Sequence, residues 1–141
     1  MPWSEPRADG SLVPDVSIGD WSRPWNLRGD RSVGGAPPAS LWASDPAGFG
    51  QVGCVYTAQG FEYAWNGVII GPDLAWRGNG WMTVRSANKN PDFRNRTKVV
   101  DLEFGSLVRN VYKVLLTRGL SGTISYSTDE GTRAKLHELV G

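Results

Sequence analysis

The sequence is short of the residues from which most catalytic and metal sites are made. It has one histidine, His137, and one cysteine, Cys54, in 141 residues. No second histidine or cysteine stands near either, so no Cys/His metal cluster and no Ser-His-Asp or Cys-His set is supported, and no metal site is expected. His137 reads as a surface residue of a helix. A single cysteine rules out an internal disulfide framework; Cys54 lies in an apolar run and reads as a small buried hydrophobe. Long apolar runs are missing too. The first ten residues, "MPWSEPRADG", hold no signal-like stretch, and nothing further on is long enough to span a bilayer. A soluble, cytoplasmic protein is the expectation, and the sequon Asn95-Arg96-Thr97 then has no significance. Charge of one sign is absent: 15 basic and 14 acidic side chains leave +1, so any contact with nucleic acid must be local and no membrane partner is expected. There is no G-x-x-x-x-G-K-[ST] phosphate loop.

Proline is scarce after residue 50. Residues 1–50 hold 7 of the 9 prolines and 7 of the 18 glycines, a composition that excludes long helices and central strands there. Residues 1–49 are therefore expected to be an irregular segment docked on a core made by residues 50–141. "DVSIGDW", Asp15 to Trp21, is its one strand-like stretch. "SRPWN" and "SVGGAPPASLWASDPAGFG" read as irregular chain pinned by Trp25 and Trp42. The "RGD" at Arg28 to Asp30 is a three-letter chance match.

From Gly50 on the patterning sharpens. Gln51 to Thr57 and Gly67 to Gly71 read as short apolar strands, the second without polar alternation, which favours a strand covered on both faces. "DLAWRGNGWMTV" reads as a hairpin turning at Asn79-Gly80. Arg85 to Lys98 reads as a polar loop. Phe104, Leu107, Val108, Val111, Tyr112, Leu115 and Leu116 make one helical stripe, with Glu103, Ser106, Arg109, Asn110 and Lys113 opposite and Gly119 as a C-terminal cap. Gly122 to Ser127 reads as a strand. Ser127 and Glu130 form a capping box opening a last helix to about Val140, which accounts for Asp129-Glu130 better than a Walker B acid with no phosphate loop to serve. The order argues an α/β fold with a three- to four-stranded, largely parallel sheet built from the strands near Asp15, Gln51, Gly67 and Gly122.

Two stretches go beyond packing. Thr57-Ala58-Gln59-Gly60-Phe61-Glu62 ahead of a buried apolar strand resembles motif V of superfamily-one helicases. The helix ending "YKVLLTRG", Tyr112 to Gly119, resembles motif VI. The longer wording, "QVGCVYTAQGFEYAWNGVIIGPDL" and "VRNVYKVLLTRGLSGTISYSTD", with "DW…PWN" upstream, resembles the C-terminal part of the bacterial Schlafen-like DNA/RNA helicase family, a domain of unknown function, over roughly Asp15 to Gly141. The resemblance implies a partial RecA-like fold of the P-loop NTPase class, the second helicase domain. It implies that Thr57, Gln59, Gly60 and Glu62 line a nucleotide, Glu62 at the ribose. It implies that Arg118 is an arginine finger, that Thr117 positions the helix end, and that Arg109 matches a basic position in related helicases. ATP would be shared with an upstream RecA-like domain, in cis or in trans, which alone would bring the phosphate loop and Mg²⁺. The chain by itself is then expected to be inactive, whether fragment, split subunit or remnant.

The same residues fit plainer roles. "QGFEY" also suits a turn, and Arg118 also suits a helix C-cap facing the macrodipole. A second functional class is a nucleic-acid-binding or adaptor module that kept the fold without catalysis. Arg85, Lys89, Arg94, Arg96 and Lys98 crowd one loop around Phe93. Such a loop can follow a single- or double-stranded phosphate backbone and stack a base, or it can be a solvated surface.

Overall fold

The computed structural model describes residues 3–94 and 99–141. The chain divides into two compact units, Met1–Phe61 and Glu62–Gly141.

In the first unit, β1 (Val16–Ile18) and β2 (Trp21–Arg23) form an antiparallel hairpin. Gly19 takes the tight turn at φ 55°. The strand at Asp15 thus pairs with its immediate successor and joins no larger sheet, because a two-residue loop closes at little entropic cost. Short 3₁₀ turns follow at Ala39–Leu41 and Pro46–Gly50. The strand expected over Gln51 to Thr57 is not formed. Val52 makes a single parallel bridge to Trp25, and the chain then coils into α1 (Val55–Ala58). The reason is local: the Thr57 hydroxyl accepts from the Cys54 N–H at 3.0 Å, a capping contact that outweighs the β preference of Val55 and Thr57. Trp42 pins this unit through Gly53, where any Cβ would collide with the indole.

The second unit carries β3 (Tyr63–Ile70), β4 (Leu74–Arg77), β5 (Gly80–Thr83), α2 (Pro91–Arg94), α3 (Asp101–Leu116), β6 (Gly119–Ser127) and α4 (Glu130–Val140). β3 and β6 pair in parallel, and β4 and β5 form an antiparallel hairpin. The architecture is mixed α/β, a parallel pair flanked by helices, consistent with a partial RecA-like fold. One continuous three- or four-stranded sheet is not present among the described residues; the strands fall into three two-stranded ladders. The hairpin turn sits on Gly78-Asn79, one residue earlier than expected, with the positive φ on Gly78. The expected loop from Arg85 contains α2.

The α3 stripe forms as its periodicity dictates. Phe104, Val108 and Tyr112 are buried against Val68, Ile70 and Leu74, with Trp81, Phe93, Val99, Leu115 and Leu136 packed around them. Glu103, Ser106, Arg109, Asn110 and Lys113 face water. Gly119 does not cap the helix. Thr117 does, and Gly119 opens β6, where a Cβ would strike the Gly122 carbonyl. The last helix is capped by Asp129, which accepts from Thr132 N–H at 2.8 Å, while Ser127 Oγ accepts from Asp129 N–H at 3.2 Å. The Ser127/Glu130 capping box is therefore replaced by a cap two residues later, since Ser127 is still inside β6. His137 is exposed on α4.

Replacing Phe104 by Ala should cost about 3–5 kcal/mol, because it empties the centre of this core. Leu102→Ala, two residues away on a side chain 92% exposed, should stay within about 0.5 kcal/mol. Urea unfolding followed by tryptophan fluorescence measures both; equal losses would contradict the burial of the stripe.

Candidate functional site

Backbone pairing brings Glu62 and Arg118 together. Each is the last residue before a strand, and the Tyr63 N–H donates to the Arg118 carbonyl at 2.9 Å where β3 and β6 begin. Both strands run the same way, so the pair stands at their N-terminal ends. An open α/β sheet would be expected to hold such a pair near the C-terminal ends of its strands; here it lies at the opposite end, for a physical reason. Both stretches precede their strands in sequence, and a parallel register of Tyr63 with Gly119 aligns their starts.

The C-terminal end of β3 is filled by a structural network. The Tyr112 hydroxyl donates to Asp73 Oδ1 at 2.7 Å and accepts from the Gly71 N–H at 2.9 Å. Asn88 Nδ2 donates to Asp73 Oδ2 at 2.7 Å. Burial, reinforced by the adjacent Asp73 charge, pushes the Tyr112 phenol far above its ordinary range.

Arg118 is half-buried and already has partners. Its Nε donates to the Val114 carbonyl at 3.1 Å and Nη2 to Thr117 Oγ1 at 3.3 Å. Thr117 Oγ1 donates to the Lys113 carbonyl at 2.9 Å. The arginine thus ties down the last turn of α3, at the negative end of the helix dipole. Burial raises the Tyr63 phenol, and the positive charge of Arg118 partly offsets this. Glu62 is exposed, and among the described residues its carboxylate makes no hydrogen bond or ion pair. An open carboxylate can accept from a hydroxyl pair, and a guanidinium offers a planar fork of donors that suits phosphate. Arg109 is exposed on α3 and reaches Ser106 Oγ at 3.4 Å.

The remaining nucleotide-lining candidates lie in the first unit. Thr57 bonds to Cys54 and to Asn26 Oδ1, the latter at 3.3 Å. Asn26, 1% exposed, also accepts from Cys54 N–H at 3.2 Å. Gln59 and Gly60 are exposed. Gly60 has φ 87°, with no atom within 4 Å of where a Cβ would be, so its backbone is open to close approach.

The basic loop is divided. Arg85 turns inward: its guanidinium lies 4.3 Å above the Phe104 ring, Nη1 donates to the Phe93 carbonyl at 2.6 Å, and Nη2 is 3.0 Å from Asp101. Phe93 packs on the core. Lys89 is exposed. Arg94 lies in α2; Arg96 and Lys98 are outside the described residues.

Sequence reasoning missed two polar knots. One is the Tyr112–Asp73–Asn88 network, whose members are too scattered in sequence to announce it. The other joins β4 to α4. Arg77 grips Asp129 with both arms, at 2.8 and 2.6 Å. Asp129 also accepts from Thr132 Oγ1, which in turn accepts from the Trp76 N–H at 2.8 Å. Here a signal existed: Asp-x-x-Thr at a strand end is an N-cap pattern.

Residues 1–129 match the family described as Schlafen group 3, DNA/RNA helicase domain. The chain belongs to that Schlafen helicase-domain family. No curated protein and no solved structure matches it. For a family of helicases, ATP and Mg²⁺ are the groups to test against these residues. Glu62 and Arg118 stand as an acceptor and a donor at one end of the parallel pair. They do not fit a metal: among the described residues no group of three His, Cys, Asp or Glu side chains could hold one. No helix among them is long and apolar enough to cross a membrane.

The Asp129 knot sets an acid limit to stability. Its hydrogen bonds to Arg77 and then Thr132 hold the carboxyl far below the usual range. A depressed folded value means that the contribution is complete above the unfolded value of about 4 and is lost as pH falls below it. Asp129→Asn should keep the cap, weaken folding slightly near neutrality by loosening a partly exposed pair, and flatten the acid limb. Urea midpoints across acid pH test this; an unchanged limb would assign it to other carboxylates.

Proposed function

We propose that this Schlafen-family helicase domain supplies one half of an ATP site, with Arg118 as the group that stabilises the transferred phosphoryl and Glu62 as the acceptor for a ribose hydroxyl. The observation that carries the reading is the Tyr63 N–H to Arg118 carbonyl bond of 2.9 Å, which sets the two residues side by side. The resemblance of the two stretches to motifs V and VI supports it, and Thr117 then holds the helix end from which Arg118 departs. The phosphate loop and the Mg²⁺-binding acid come from a RecA-like domain, in cis or in trans, since this sequence contains neither. The chain alone binds nucleotide weakly and does not hydrolyse it, because nothing in it wraps the β- and γ-phosphates.

A second reading rests on a specific contact. The 3.1 Å bond from Arg118 Nε to the Val114 carbonyl is what a purely structural helix cap would make. Kinetics separate the two. In the assembly with the phosphate-loop domain and nucleic acid, Arg118→Ala should leave ATP binding largely intact and cut turnover by about 10³ to 10⁵. Arg118→Lys should rescue little, since a point charge lacks the planar fork. Glu62→Ala should raise KM more than it lowers kcat, because a ribose contact is equal in ground and transition states. Steady-state ATPase assays measure all three. Wild-type turnover in Arg118→Ala would leave the arginine as a helix cap alone.

A further inference from the structure

Among the described residues of the second unit, the parallel pair β3–β6 is covered on one face only. Register puts Asn66, Val68 and Ile70 beside Thr123, Ser125 and Ser127 on the face toward α3. The other face carries Trp65, Gly67 and Ile69 beside Gly122, Ile124 and Tyr126. The expectation that this strand is covered on both sides therefore fails among the described residues of this unit. Trp65 is 68% exposed, Ile124 69% and Tyr126 39%, with Leu120, in the irregular register at one end, at 72%. These side chains leave roughly 500 Å² of apolar surface in water, near the top of what a lone soluble chain carries. Parallel sheets are otherwise buried on both faces.

We propose that this face pairs with the same face of a second copy of the chain. Three observations favour that occupant. The face has no carboxylate, ammonium or guanidinium among its six residues, so two copies meet without like-charge repulsion. Arg133 flanks it, 5.3 Å from the Tyr126 ring, and is tied to the Ser127 carbonyl at 2.9 Å. The relief is also self-complementary. The Trp65 ring fills the space over Gly122, while nothing lies within 4 Å of a Cβ placed on Gly67. Ile124 of one copy can seat at Gly67 of the other and the reverse, the isologous contact of a two-fold axis. Finally, two such faces together remove on the order of 1,000 Å², the lower bound for a specific association. The dimer is accordingly weak, with a dissociation constant in the micromolar range.

Sedimentation velocity over a micromolar concentration series tests this. The wild-type mass should move from one chain toward two. Ile124→Asp, which buries an unpaired carboxylate over Gly67 of each partner copy, should weaken association at least about tenfold. Leu102→Asp, at a still more exposed apolar site on α3, should leave it unchanged. Should Ile124→Asp fail to fold, hydroxyl-radical footprinting of the wild type decides: Trp65 and Tyr126 should lose reactivity as concentration rises, and Trp21 should not. A wild-type mass that stays at one chain, equal weakening by both substitutions, or constant Trp65 reactivity would overturn the proposal.

Discussion

The end of α3 is held by both strands beneath it, and the arrangement of the second unit depends on that. Asn66 Nδ2 donates to the Leu115 carbonyl at 2.6 Å, and Thr123 Oγ1 donates to the Leu116 carbonyl at 3.0 Å. Asn66 and Thr123 are register partners on β3 and β6. Two orphan carbonyls of the helix terminus are thus satisfied by one side chain from each strand. The helix axis, the strand register and the starting point of β6 are fixed together. Arg118 is the next residue but one after the helix, so its position relative to Glu62 follows from those two bonds.

Much of this was legible, in a particular way. The α3 stripe and its polar face were written in a 3.6-residue period, and burial follows it. The apolar run from Gly67 located β3, and Asn-Gly located the hairpin to within a residue. The order of the two helicase-like stretches led to the family that residues 1–129 match. What could not be read was pairing between distant segments. Strand propensity at Asp15 says nothing about whether the partner is Trp21 or Gly67, and the nearer one wins. Strand propensity at Gln51 is overridden by one hydroxyl, Thr57, and by the buried Asn26 that shares it. The end of the sheet at which the two stretches lie was not legible either, because a motif beside a strand can lie at either end of it.

Arginine roles divide by neighbourhood rather than by composition. Arg85, Arg77 and Arg118 look alike in sequence. Arg85 is consumed by an aromatic ring, a carbonyl and Asp101; Arg77 is consumed by Asp129. Among the described residues Arg118 holds a carbonyl and a hydroxyl, both uncharged acceptors. An anionic oxygen is the stronger acceptor for a guanidinium. Of the three, Arg118 is the one with no carboxylate bonded to it among the described residues.

The parallel pair also has a kinetic meaning. Thr128 N–H reaches the Ile70 carbonyl across 58 positions of sequence. The β4–β5 hairpin and α3 close over a few residues each. Loop-closure entropy therefore places β3–β6 pairing late, after the hairpin and helix exist. Glu62 and Arg118 meet only when that last pairing is made, so their adjacency reports completed folding of the unit. Pulse-labelled hydrogen exchange would show it directly: the Tyr63 amide should gain protection after those of the α3 interior, and earlier protection would reverse the order.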